Sequence, residues 1–180
     1  MMKTHTRRHT IPFVWPCKPF HIVLVEPEIP PNTGNIARLC AATGTILHLV
    51  EPLGFRLTDV ALRRAGLDYW EAVDIRRHGS WAEYLRQAPE CRRHFFSTRG
   101  SRSLFDARIE PGDALVFGSE SRGLPDAVLD GHPGAVVGIP MKGGSVRSLN
   151  LATAAGIALY EALRQSRAGP GAEESPAAGD

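Results

Sequence analysis

Three short segments, far apart in the chain, carry the residue types best suited to chemistry. The first is Glu26-Pro27-Glu28-Ile29-Pro30-Pro31-Asn32-Thr33-Gly34-Asn35-Ile36-Ala37-Arg38, which sets Asn32, Asn35 and Arg38 at the start of an expected helix. Backbone N–H groups at a helix N-terminus, joined by an arginine, suit a phosphate or a ribose. Capping by Asn32 and solvation of Arg38 would explain the same residues. The second, Phe117-Gly118-Ser119-Glu120-Ser121-Arg122-Gly123-Leu124-Pro125, holds Glu120 between two glycines. That carboxylate could orient a ribose hydroxyl or an arginine, or belong to a surface turn. The third runs from Ile139-Pro140-Met141 to Ser148-Leu149-Asn150, at another helix start where capping is the default. What the three share is context. Each follows an apolar, strand-like run, the place where α/β proteins put ligand-binding loops.

The same loops exclude two common nucleotide sites. The first lacks the Gly-x-Gly-x-x-Gly of a dinucleotide fold, and Gly118 to Gly123 lacks the Gly-Lys-Ser/Thr ending of a phosphate loop. Lys142-Gly143-Gly144-Ser145 has the wrong spacing for one.

The elements that must position these loops alternate. Phe20–Val25, Ile46–Val50, His94–Ser97, Ala114–Phe117 and Val136–Ile139 are expected strands. A helix capped by Asn32 or Thr33 presents Ile36, Leu39, Cys40 and Thr43 on one face and ends at Gly44. Thr58 caps a short helix over Val60–Ala65, Ser80 another over Trp81–Gln87, and a long one runs from about Leu149 to Arg164. The fold class expected is α/β, a mostly parallel sheet with helices on both faces. Ala152, Ala154, Ala155, Gly156, Ala158 and Ala162 make the last helix rich in small residues, with Leu149, Ile157, Leu159 and Leu163 around them. Such a helix is central to a core or shared with a partner subunit, and we favour the second.

At 180 residues the chain has room for one sizeable core. Residues 1–19 are expected as an extension, 20–166 as the domain, and 167–180, rich in Gly, Ala, Pro and Glu, as a disordered tail. The formal charge of +2 is unevenly spread. Residues 56–109 hold eleven arginines against seven acids, and residues 110–133 five acids against Arg122 alone. A basic face suits a polyanion, though an ordinary solvated surface explains the charge as well. Cys17, Cys40 and Cys91 form no metal or disulfide pattern, so no metal and a reducing cytoplasm are expected. The apolar run Ile11–Trp15 is too short for a signal peptide, and no stretch of about 18 apolar residues predicts a membrane span.

Asn32-x5-Arg38, Phe117-Gly118-x-Glu120-x2-Gly123-Leu124, and Ile139-Pro140-Met141 with Ser148-Leu149-Asn150 together resemble the three motifs of the SpoU branch of the SPOUT RNA methyltransferases. The resemblance covers nearly all of residues 20–166. The fuller first string, with Arg64-Ala65-Gly66-Leu67-Asp68-Tyr69, is similar to the TrmL-like group that methylates the tRNA wobble ribose. One departure is that the segment between Met141 and Ser148 is a residue longer than that group leads one to expect.

The resemblance implies a C-terminal trefoil knot, S-adenosylmethionine as cofactor, a homodimer, and the anticodon loop of a tRNA as partner. It implies methyl transfer to the 2′-hydroxyl of a cytidine or uridine derivative at position 34, with a leucine tRNA as the expected substrate. Carried over, Phe96, Gly118, Ile139, Ser148 and Leu149 contact the cofactor. Arg38, Asn32 and Glu120 are catalytic, and Asn35, Arg64 and Asn150 meet the substrate. Family precedent makes Arg38 the base. A guanidinium has no lone pair to accept a proton and a pKa above about 12, so binding phosphate and stabilising alkoxide is the physically better role. The alternatives are the same chemistry on another tRNA position or ribosomal RNA, or a non-catalytic RNA-binding protein.

Overall fold

The computed structural model describes residues 11–56, 72–143 and 145–167. The expected helix over Val60–Ala65 and Arg64 fall outside these residues, as does most of the expected tail. Seven strands form one sheet: β1 (His21–Val25), β2 (Ile46–Val50), β3 (Ile75–His78), β4 (Arg93–Phe96), β5 (Arg102–Ser103), β6 (Ala114–Phe117) and β7 (Val136–Gly138). Their order is β3-β2-β1-β6-β4-β7-β5, and every neighbouring pair is parallel. The central strands β1 and β6 are buried along their whole length, as a sheet covered on both faces requires.

Among the described residues four α-helices cover the faces: α1 (Pro30–Thr43), α2 (Trp81–Gln87), α3 (Asp126–Asp130) and α4 (Leu151–Ser166). Strand alternation divides the core into two layers. Ile22, Leu24, Leu47, Leu49, Leu115 and Phe117 pack under α1 and α4, while Val23, Val25, Val50, Phe95 and Val116 meet Tyr84 of α2 and Val128 and Leu129 of α3.

Two helix starts differ from expectation. α1 begins at Pro30, ahead of Asn32, with Ile29 as cap residue and no capping side chain. Proline is preset for the first turn and lacks the N–H that would go unsatisfied there. The Asn32 side chain is thereby released for tertiary contacts. α4 begins at Leu151 because Asn150 is its cap, accepting from the N–H groups of Ala152 and Thr153 at 2.9 and 3.3 Å. Gly44 ends α1 in the left-handed conformation (φ 66°), and Ser80 caps α2, both as the sequence indicates.

The last helix belongs to the core on one face. Leu151, Ala155, Ala158, Leu159, Ala162 and Leu163 are buried there, while Ile157 and Tyr160 are exposed on the other side. Within the expected N-terminal extension, Phe13 packs on the core, edge-on to Trp15 and beneath the Arg167 guanidinium.

Candidate active site

The strand order reverses between β1 and β6. Loops leaving the C-terminal ends of β4, β6 and β7 meet there, beside the loop after β1. This is where open α/β sheets form ligand crevices. A cleft of about 1020 Å³ occupies the position. It is lined by all five residues expected to contact a cofactor, Phe96, Gly118, Ile139, Ser148 and Leu149, and by Asn32, Glu120 and Asn150. The three sequence segments therefore converge on one site.

Their convergence rests on a run of hydrogen bonds. Glu120 accepts from the Glu28 N–H at 2.8 Å, the Ile29 N–H at 3.3 Å and Asn32 Nδ2 at 2.8 Å. Asn32 Oδ1 accepts in turn from Asn150 Nδ2 at 2.9 Å. Glu28 and Ile29 carry the last free backbone donors before the two prolines of α1. Glu120 thus holds the backbone that leads into that helix and places negative charge near its positive end. Its carboxylate is committed to holding loops together, as are both polar ends of Asn32.

A glycine is required at position 118. The chain doubles back after it, with Ser119 and Gly123 exchanging backbone hydrogen bonds, and a Cβ on Gly118 would lie 2.0 Å from the Gly123 carbonyl carbon. Phe96 and Phe117 stack with centroids 4.7 Å apart and line the cleft. Apolar Ile139, Met141 and Leu149 line it too, together with Ser119, Ser148 and Asn150. A hollow that mixes aromatic and aliphatic walls with many polar groups fits S-adenosylmethionine, which joins a flat purine to a ribose and a charged amino-acid arm.

Asn35 and Arg38 are exposed on α1 and are not among the cleft-lining residues. Helical spacing turns Arg38 about a third of a turn from Asn32, so it faces what approaches α1 from outside. The sequence reading assigned no role to Glu26, Glu28, Ser121 or Arg122, which form a second set of contacts. Ser121 donates its N–H and hydroxyl to Glu28 at 3.0 and 2.8 Å, and Arg122 reaches Glu26 at 3.2 Å. Glu26 adopts a left-handed backbone (φ 52°), strain of the kind found beside functional sites. No spacing rule pairs side chains some 93 residues apart.

Among the described residues, the arginines of the expected basic face are dispersed. Arg76 and Arg77 lie on β3 at one sheet edge and Arg102 on β5 at the other. Arg76 pairs with Asp74, Arg77 with Glu51 and Arg92 with Glu110. Arg99, Arg122 and Arg147 line the cleft. Among the described residues no cluster of His, Cys, Asp and Glu could hold a metal ion, and no helix is long and apolar enough to cross a membrane.

The parallel sheet, with its crevice at the strand reversal, defines an α/β enzyme-type fold whose loops match a known set. Residues 19–160 match the SpoU rRNA Methylase family, and the chain belongs to it. The tRNA (cytidine(34)-2'-O)-methyltransferase of Acidovorax sp. (strain JS42) is 53% identical over 150 residues, 82% of this chain and 92% of that protein. A solved structure described as giving structural insights into the 2-OH methylation of C/U34 on tRNA is 54% identical. It superposes with a TM-score of 0.77 over 82% of this chain and 96% of its own. The AdoMet-bound rRNA methyltransferase from Sinorhizobium meliloti is 28% identical, with a TM-score of 0.72 over 84% of this chain and 58% of its own.

Proposed function

We propose that the protein transfers a methyl group from S-adenosylmethionine to the ribose 2′-hydroxyl of the wobble nucleotide, a cytidine or uridine derivative at position 34 of a tRNA, with a leucine tRNA as the first candidate. The observation that carries this is the joining of three distant motifs by Glu120, Asn32 and Asn150 at one cleft, in a chain about half identical to enzymes named for that reaction. The cofactor, when bound, supplies a methyl group made electrophilic by its sulfonium. Phe96, Gly118, Ile139, Ser148 and Leu149 hold it, with the Phe96–Phe117 stack as an apolar wall.

The protein's task is alignment and charge. Arg38, exposed on α1, binds the phosphate next to the reacting ribose and stabilises negative charge growing on the 2′-oxygen. It keeps its own proton, and phosphate or water takes the hydroxyl proton. Asn32 and Glu120 fix the angle of α1, and Asn35, one turn before Arg38, and Arg64 contact RNA. Asn150 fixes the last helix.

The trefoil knot belongs to the same reading: the segment from β6 to α4, whose loops line the cleft, is the part that would be tied. So does a cytoplasmic homodimer, for which exposed Ile157 and Tyr160 on α4 offer apolar surface. The test is incubation with labelled S-adenosylmethionine and total RNA, tRNA and ribosomal RNA together, followed by mapping of the 2′-O-methyl group. Label at position 34 is expected. Label confined to another tRNA position or to ribosomal RNA overturns the wobble assignment, and none at all overturns the enzyme.

A further inference from the structure

We infer that Glu28 is a positioning residue for methyl transfer, acting through a reciprocal clasp with the Glu120 loop; this rests on the proposed function. The two loops exchange four hydrogen bonds. The Glu28 carboxylate accepts from the Ser121 N–H at 3.0 Å and the Ser121 hydroxyl at 2.8 Å, while Glu120 accepts from the backbone N–H groups of Glu28 and Ile29. Each loop thus binds the other's main chain through its own carboxylate.

Two carboxylates drawn this close repel one another, and the arrangement answers that with donors. Glu120 is met by three N–H groups and Glu28 by two donors, with Arg122 Nε 4.0 Å from Glu28 and its NH2 group 3.2 Å from Glu26. The Ser121 hydrogen bonds hold the Glu28 carboxyl below the ordinary carboxylate range, with a smaller contribution from Arg122, so Glu28 meets Ser121 as a carboxylate at neutral pH.

What the clasp positions follows from its attachments. Glu28 does not line the cleft, whereas Ser119, Glu120 and Ser121 do. On the other side, Glu28 and Ile29 lead directly into α1, the helix of Asn32 and Arg38. The clasp therefore sets the helix that meets the RNA against the loop that meets the cofactor. Displacement of reacting groups by about 1 Å can cost a hundredfold in rate while each partner still binds. Misalignment of this kind appears in kcat and leaves the separate affinities largely intact.

The experiment compares wild type with Glu28→Ala, Glu28→Gln and Ser121→Ala. Measurements are kcat and KM for tRNA methylation, S-adenosylmethionine affinity by calorimetry, and amide hydrogen exchange at Ser121 and Glu28. Glu28→Ala should lose at least about tenfold in kcat, with tRNA KM and cofactor Kd within about threefold and exchange protection lost at Ser121. Glutamine can accept from the Ser121 N–H and donate to its hydroxyl, so Glu28→Gln should return kcat to within about threefold and restore protection. Ser121→Ala, an exposed site, should fall between them. Wild-type kcat in Glu28→Ala overturns the proposal, as does a parallel loss of cofactor affinity that glutamine does not rescue. If the wild type itself methylates no tRNA, the functional reading fails, and unchanged Ser121 exchange in Glu28→Ala then refutes the clasp separately.

Discussion

Asn32 and Asn150 lie 118 residues apart in the chain and share a hydrogen bond of 2.9 Å. Through it the start of α1 is joined to the start of α4, because Asn150 Oδ1 caps α4 while its Nδ2 donates to Asn32. Asn32 cannot be turned over without loss, since its own Nδ2 is held by Glu120 at 2.8 Å. The loop after β6 and the starts of α1 and α4 are therefore coupled through one amide.

Removing Asn150 should leave the buried Asn32 amide oxygen unmet and α4 uncapped, and removing Asn32 should take a donor from half-buried Glu120. Asn32→Ala and Asn150→Ala should each lower stability by about 1–3 kcal/mol. Because they share a bond, the double variant should be less destabilised than the sum, by about 0.5 kcal/mol or more. Urea denaturation of the four proteins checks this, and strict additivity would show the two residues to be energetically independent.

Arg38→Ala should abolish methyl transfer while S-adenosylmethionine affinity stays within about threefold. Arg38 is exposed on α1 and does not line the cleft, so its loss should leave the cleft's own ligand in place. Calorimetry with the folded variant decides. Loss of cofactor binding would mean that Arg38 serves the other ligand.

Gly118→Ala should disrupt the loop after β6. Its Cβ would meet backbone atoms of Gly123 and Leu124 at 2.0 and 2.1 Å, a clash that no rotamer relieves. The Ser119–Gly123 turn must open, taking Glu120 with it. Cofactor Kd should rise by about tenfold or more, an effect of over 1 kcal/mol. An unchanged Kd would place the binding determinants elsewhere in the cleft.

The sequence revealed the site more readily than the fold's edges. Apolar runs located the central strands, and the three motifs were legible because strand-end loops keep polar residues close together in sequence. β3 was missed because Arg76 and Arg77 give it a polar reading. As an edge strand, it turns those charges to solvent. β5 is only two residues long. Asn32 was expected as a cap because local sequence cannot show that Glu120, 88 residues on, takes its amide. The clasp of Glu28 with Ser121 was hidden for the same reason.

A buried row of histidines should make the fold sensitive to acid. His21 Nδ1 meets His48 Nε2 at 3.0 Å, His48 Nδ1 meets His78 Nε2 at 3.0 Å, and His78 Nδ1 meets Gln87 Oε1 at 3.1 Å. Glu83 can only accept, so Gln87 gives it the amide N–H and turns its oxygen to His78. His78 must then donate from Nδ1 and accept at Nε2, and the same order passes to His48 and His21. A second proton on His48 would set two donors against each other. Burial, then the neighbouring His21 and His78, holds the His48 pKa at about 3 against its ordinary 6.5. Arg76 acts in the same direction, and Asp74 opposes it. Burial also lowers the pKa of His21. The unfolded chain thus binds more protons than the native one below pH 6.5, and stability falls as pH falls, by up to about 1.4 kcal/mol per pH unit for each such histidine. Asp74 and Asp113, held below their ordinary 3.8, add their losses only under more acidic conditions. Urea denaturation at pH 7.5 and 5.0 should show a drop of about 2 kcal/mol in the wild type. His48→Gln keeps an acceptor for His21 and a donor for His78 but cannot take a proton, so its drop should be smaller by most of that amount. Equal drops in the two proteins would show that the histidine row does not carry the acid sensitivity.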